Sequence, residues 1–479
     1  MTTSHAEPMP AAVPANMRLI GWVLVVLVAG ELLFLYSGLG AAALIAQGLV
    51  VALPLIGWRA IRLREIYLLA VCLMLIAASF HLGKPVLEHA LEGLSRSAYL
   101  ASFVLLMALL REGALTSRSV VEVGTFMTVQ PASRRFVALF SGSHFFAVLI
   151  NLGALSLLAP IIQRGVRSAL PDGAPLDDIA QVRERRQLSA ALRGFSWFLV
   201  WAPTAVTQAV MPTLMSGIDT VRLIVTGLGL ALVMLGVSWL EDAVRWRGFR
   251  KTLVAQGRLP LASSIKIPLR AARNLGLVCL ALCALSVTLT IVFKVSIVTG
   301  VMLTSPVIVA IWVYVQLRAA ATDRLREITF TAMPGYFREA VFIGCAGFIG
   351  TMAAKLILAG DVAAAVGLAD QPGWLVLWVL TVLVWVFGQV GLSPITMAVF
   401  LGSVVAELPG LPVDTTLAAL AIAAGTAVCT TGAPFASGAL MLARATGYSS
   451  FTLTWRWNGA YTLLSMAVLG PVYAVLTAI

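Results

Sequence analysis

The chain has 479 residues, 60% of them hydrophobic and only 11% charged. Soluble globular domains carry roughly 25% charged residues, so no water-soluble fold could hide this much apolar surface, and the continuous apolar runs exclude an outer-membrane barrel with its alternating pattern. The formal charge of +12 would suit nucleic acid, but Arg and Lys cluster between apolar runs; that is the positive-inside pattern of cytoplasmic loops, not a folded basic domain.

A helix of about 20 apolar residues crosses a bilayer, and such runs recur along the whole chain. Residues 1–16 are Pro-rich and lack the basic start of a signal peptide, so they read as a cytoplasmic tail. The first repeat, 17–245, begins with spans at 19–36, 40–58, 66–82 and 98–110, with a short outer loop carrying Lys84, Glu88, His89 and Glu92. A polar, basic stretch from Arg111 to Arg135 follows on the cytoplasmic side.

The segment 136–162 is apolar but interrupted by Ser141, Gly142, Ser143 and His144, and basic clusters flank it on both sides. A single crossing would put one cluster outside. A re-entrant hairpin with its tip near Gly142 keeps both inside, and backbone of that kind is tolerated at membrane depth only where it is buried in protein or lines a wet cavity. After a basic loop from Arg164 to Arg193, a span at 194–216 carries Pro203, which removes a backbone donor and predicts a broken helix. A span at 221–240 leads to the basic loop 246–273, the midpoint of the chain.

The second repeat, 274–479, has spans at 274–295, 297–317 and 341–358. The segment 374–408 is too long for one span and is broken by Gly388, Gln389, Gly391, Ser393 and Pro394, which predicts a second hairpin, entering from outside with its tip near Gly391. A span at 415–442 holds Thr430, Thr431 and Pro434 at its middle, and 454–476 is the last. The expected fold is therefore all-α and integral, with about eleven transmembrane helices and two re-entrant hairpins in an inverted repeat. An Ala-Pro-Thr-Ala stretch from Ala202 is echoed by Ala-Pro-Phe-Ala from Ala433, each just after a hairpin.

In its span order, its opposed hairpins and its final block (425–464), the chain resembles the ion transporter superfamily, which includes divalent-anion/sodium symporters and arsenite-permease-like secondary transporters. In that block a Pro-interrupted span is followed by a glycine turn and an Asn near the last span, the place that Asn458 holds. The hairpin tips depart from the family's Ser-Asn-Thr pattern. The resemblance implies an ion-coupled secondary transporter working by alternating access in the bacterial inner membrane, by symport or antiport, with a cytoplasmic N-terminus. The expected partners are a small anionic solute and the surrounding lipid, with no nucleic acid and a homodimer left open. The membrane subunit of a tripartite uptake system shares this architecture and is the alternative.

Candidate substrate or ion contacts are the interrupted segments: Ser141, Ser143, His144 and Asn151; Pro203 and Thr204; Gln389, Ser393, Pro394 and Thr396; and Thr430, Thr431, Pro434 and Ser437. Gln389 and Asn151 are equally readable as interhelical hydrogen-bonding residues, and the hydroxyls as groups bonded back to their own helices. No Asp or Glu lies at either tip or break, so oxygen-rich tips favour Na+ as coupling ion, while His144 keeps H+ open. No cofactor or metal is expected: Cys72, Cys279, Cys283, Cys345 and Cys429 lie in apolar runs without ligand spacing, and His5, His81, His89 and His144 form no metal or nucleophile motif, which speaks against an embedded enzyme.

Overall fold

In a bilayer the backbone finds no water to bond, and a helix satisfies its own N–H and C=O groups. The computed structural model, which describes residues 15–168, 170–171, 174–257 and 268–479, accordingly contains helices and no strand among those residues. Residues 1–14 of the expected tail, and 258–267 of the 246–273 loop, lie outside the described residues.

Four helices open the chain: α1 (Ala15–Ser37), α2 (Gly40–Ile56), α3 (Leu63–His81) and the long α4 (Val86–Leu115). The outer loop expected around Lys84 is mostly the beginning of α4. Pro85 precedes that helix and Glu88 sits in its first turn, where a carboxylate complements the helix dipole. The stretch 111–135, expected to be a polar loop, contains the end of α4, the short α5 (Arg118–Thr128) and the start of α6 (Ala132–Ile150). Then come α7 (Gly153–Arg167), α8 (Asp178–Trp197), α9 (Val206–Leu214), α10 (Thr220–Arg245) and α11 (Arg247–Ala255).

The second half runs through α12 (Leu269–Phe293), α13 (Ile297–Leu317), α14 (Ala321–Glu327), α15 (Phe337–Lys355) and α16 (Ala359–Ala365). It ends with α17 (Gly373–Gln389), α18 (Pro394–Glu407), α19 (Thr415–Gly432), α20 (Ser437–Thr446) and α21 (Trp457–Ala478). Eight segments among the described residues are long and apolar enough to cross a membrane. The expected eleven spans add to these 40–58 and 194–216, and count the 297–355 segment twice, where the structure interrupts it between α13 and α15.

Small residues set which helices lie together. A Cβ on Gly194 of α8 would collide with the Phe140 carbonyl of α6, and a Cβ on Gly425 of α19 would meet Val384 of α17 at 2.8 Å. Thus α6 packs along α8, and α17 along α19. The hydroxyl-rich α19 is buried from Thr416 to Gly432, whereas α3 and α12, apolar on nearly all sides, leave most of their surface exposed, as lipid-facing helices do.

A buried ionic cluster fastens α8 to α10 and α21. Arg193, expected in a basic loop, instead lies inside α8 and is 2% exposed. Its guanidinium bonds Glu241 at 2.8 Å and Asn458 Oδ1 at 2.7 Å, and lies 4.1 Å from the Tyr461 ring centroid. A charge this deep is tolerated where it is paired and hydrogen-bonded, and this one has partners on two neighbouring helices. Asn458 therefore serves the scaffold here: its Nδ2 donates to the Leu453 carbonyl at 2.7 Å.

Candidate functional site

Two helix turns and two helix breaks lie close together in space, and each is made by an identifiable residue. Ser141–His144, predicted as the first hairpin's tip, is continuous helix within α6. Serine and glycine do not end a helix unaided, and here the packing uses them: Ser143 Oγ donates to the Ala191 carbonyl of α8 at 2.7 Å, while Ser141 is exposed. His144 is held between Phe140 and Trp201, with Nδ1 3.1 Å from the Gly194 carbonyl and Nε2 accepting from Trp201 Nε1 at 2.7 Å. The neutral ring with hydrogen on Nδ1 satisfies both partners.

The first turn falls instead at Asn151, the C-cap of α6, with φ 47° and ψ −130°. Asn is among the few residues that adopt positive φ without glycine's freedom. Its Oδ1 accepts from the Leu152 N–H at 2.8 Å, and its Nδ2 donates to the Thr204 carbonyl at 3.2 Å. The second turn lies where the sequence places it. Gln389 ends α17, Gly391 takes φ +90°, and Ser393 and Pro394 start α18, proline being at ease in a helix's first turn. Gln389 Nε2 donates to the Gly432 carbonyl at 3.1 Å, and its Oε1 accepts from Trp455 Nε1 at 3.1 Å.

The breaks follow from proline chemistry. Pro203 has no N–H to offer the Leu199 carbonyl, so the chain leaves helical geometry between Trp201 and Ala205. Gln208 Nε2 takes over, donating to the Val200 carbonyl at 2.7 Å and reaching that of Leu199 at 3.4 Å. Pro434 likewise separates α19 from α20. An amide side chain at each turn therefore donates to a backbone carbonyl at a break: Asn151 to Thr204, and Gln389 to Gly432.

A cavity of about 550 Å³ lies at this meeting point. Asn151, Pro394, Thr430 and Ser437 line it; among the other candidates Thr204, Ser393, Thr396 and Thr431 sit on adjoining backbone without lining it. Ser141, Ser143, His144, Pro203, Gln389 and Pro434 do not line it either. Thr430 and Thr431 bond back to the Thr426 and Val428 carbonyls at 2.8 and 3.0 Å, so their hydroxyl hydrogens are already engaged. Among the described residues Thr204 Oγ1 and Ser393 Oγ are buried without a hydrogen-bond partner.

Sequence reasoning reads the arginines as topology signals, with Arg444 alone also readable as attracting an anion, which topology explains equally well. Arg62, Arg64, Arg111, Arg338 and Arg444 line the cavity, against one acid, Glu339. Glu65, fully buried, pairs with Arg64 at 2.9 Å and Arg338 at 3.3 Å. Among the described residues Arg111 and Arg444 have no carboxylate partner. Arg111 Nη2 donates to Ser156 Oγ at 3.3 Å, its guanidinium lies 5.7 Å from the Tyr336 ring centroid, and its Nε is buried without a hydrogen bond among the described residues. The signal for them was available: each stands within a turn of a span's end and not in mid-loop. Among the described residues no cluster of His, Cys, Asp and Glu could hold a metal.

No family model matches the chain, and no curated protein matches it in sequence. Among solved structures it is similar to the YdaH transporter of Alcanivorax borkumensis, whose crystal structure is described as having an unusual topology. The TM-score is 0.54 at 17% identity, covering 86% of this chain and 98% of that one. Identity this low carries the fold alone: the chain is a multi-pass, all-helical membrane protein of transporter-like architecture.

Proposed function

We propose that the protein is an ion-coupled secondary transporter that moves a small anionic solute across the bacterial inner membrane by alternating access. The observation that carries this reading is the cavity itself. Residues of both turns and of the helices flanking both breaks line it, and among the described residues two of its arginines, Arg111 and Arg444, form no salt bridge with a carboxylate. Interrupted helices near mid-membrane free backbone groups that replace a solute's hydration shell, and an unpaired guanidinium binds a carboxylate in bidentate fashion.

The order turn, broken helix, final helix occurs twice, in α6–α10 and α17–α21, with matching amide-to-carbonyl ties. That supports reading the halves as an inverted repeat and the turns as re-entrant hairpins. The cavity's arginines come from the stretches that the positive-inside rule assigns to the cytoplasm, so the arrangement here is open inward, with the N-terminus inside. The coupling ion is Na+ or H+.

The test is uptake into proteoliposomes of a panel of labelled organic anions, such as benzoate and succinate, under imposed sodium or proton gradients. A charge-assisted hydrogen bond contributes about 1.5–3 kcal/mol, so Arg111→Gln should raise KM for a transported anion by about 10- to 100-fold. Uptake that ignores both gradients, or an unchanged KM, contradicts the proposal.

A further inference from the structure

Away from the cavity, a group of unpaired cations lies just past the end of α10. Residues 223–240 of that helix carry no charge, and their length of about 27 Å matches a hydrocarbon core of about 30 Å. Val225, Leu232 and Trp239, each seven residues apart, are exposed and make one lipid-facing stripe. Trp239 thus stands where aromatic side chains anchor a span to the headgroup layer. About two turns beyond it, α11 begins at headgroup depth.

From Ala243 to Gly257 the chain has four cations and no acid. Arg245 is engaged inside the protein: it pairs with Glu241 and donates to the Trp457 carbonyl at 2.8 Å. Arg247, Arg250 and Lys251 are not. They are exposed, and among the described residues no carboxylate, carbonyl or ring engages their side chains. Their three- and four-residue spacing puts them on one face of α11 with the exposed Val254. Phe249 and Leu253 take the opposite face, where Leu253 is buried and Phe249 meets the Trp246 ring edge-on at 6.2 Å. Positive-inside sorting accounts for a basic segment. It does not account for three cations turned outward on one face while Arg245 and Arg185 turn inward. Arg185 lies 5.3 Å from the Trp246 ring centroid and donates to the Arg456 carbonyl at 3.1 Å.

We infer that this face of α11 docks the phosphate headgroups of anionic phospholipids. Each guanidinium offers a fork of donors that matches two phosphate oxygens, Lys251 adds a compact charge, and Val254 gives an apolar contact beside them. A basic helix set just outside a span is the arrangement that an anionic membrane surface attracts. A lipid fits this face better than a free anion, because its phosphate already stands at the depth where the stripe of α10 ends. The docking surface is separate from the anion cavity and independent of transport.

The test uses the full chain in vesicles, with its five native cysteines replaced and Val254→Cys carrying an environment-sensitive fluorophore. Brominated phosphatidylglycerol should quench this label at a mole fraction about tenfold lower than brominated phosphatidylcholine. The triple change Arg247→Gln, Arg250→Gln and Lys251→Gln should remove that preference, as should about 1 M salt. Arg247→Lys with Arg250→Lys should keep most of it, and unchanged circular dichroism shows that each variant is folded. Equal quenching by the two lipids, or a preference that survives the triple change, overturns the assignment. So does the same preference at a label on Leu73→Cys, on the exposed side of α3, since it would be a general lipid effect. Relief of quenching by inorganic phosphate, beyond that given by chloride at equal ionic strength, would assign the face to a free anion and overturn the lipid as its occupant.

Discussion

Asn151 shows how one side chain can fix both a backbone path and a contact between elements. Its positive φ costs roughly 1–3 kcal/mol in most residues, and its amide ties the turn to Thr204. The two roles separate by mutation. Asn151→Gly should keep melting temperature near wild type while slowing uptake, because the backbone is satisfied and the tie is lost. Asn151→Val should lower both, and a Gly variant that transports normally would show the tie to be idle. The buried cluster makes a second residue-scale prediction. Glu241→Ala leaves Arg193 in the core without its carboxylate, at a cost of about 3–5 kcal/mol. Arg193→Ala should cost less, since Glu241 keeps Arg245 at 2.5 Å. Thermal melting in detergent decides it, and the reverse order would contradict the account. Neither role was legible in full. Asn151 stood among the candidates as a polar residue in an apolar run, but nothing local distinguishes a turn-forming Asn from one that bonds a neighbouring helix. Arg193 read as loop because its partners, Glu241 and Asn458, are distant in sequence.

At the scale of elements, proline and glycine marked interruptions only at some positions, for Gly142, Pro160 and Pro306 lie inside continuous helices. Pro203, Pro434 and the Gly391–Pro394 stretch interrupt helices where the sequence places the interruptions. Ser141–His144 misled because serine is tolerated inside a helix when its hydroxyl finds a carbonyl, and the carbonyl belongs to α8. The break also has a reserve amide, since Gln208 caps the carbonyls that Pro203 leaves open. Pro203→Ala returns an N–H to the Leu199 carbonyl and should extend α8 towards α9, raising helical content slightly and slowing transport. Gln208→Ala should instead destabilise the break by about 1–3 kcal/mol, the cost of leaving a buried polar group unpaired. Equal effects on melting from the two variants would show that proline does not set the break.

For the whole molecule, composition settled the class and loop charges suggested the sidedness, because both depend on sums and not on contacts. The cavity was only half legible. Its backbone frame came from the interrupted segments, whereas its arginines looked like topology signals, and only folding brings α4, α15 and α20 around one space. The central claim is that this space opens alternately to the two sides of the membrane. The most direct measurement places one cysteine in it, Ile395→Cys, in a chain whose five native cysteines are replaced. Labelling by a membrane-impermeant maleimide is then followed from each side of oriented vesicles, with and without a transported anion and an ion gradient. The account predicts labelling from the basic side alone at rest and from both sides during turnover. Labelling confined to one side under every condition would contradict it.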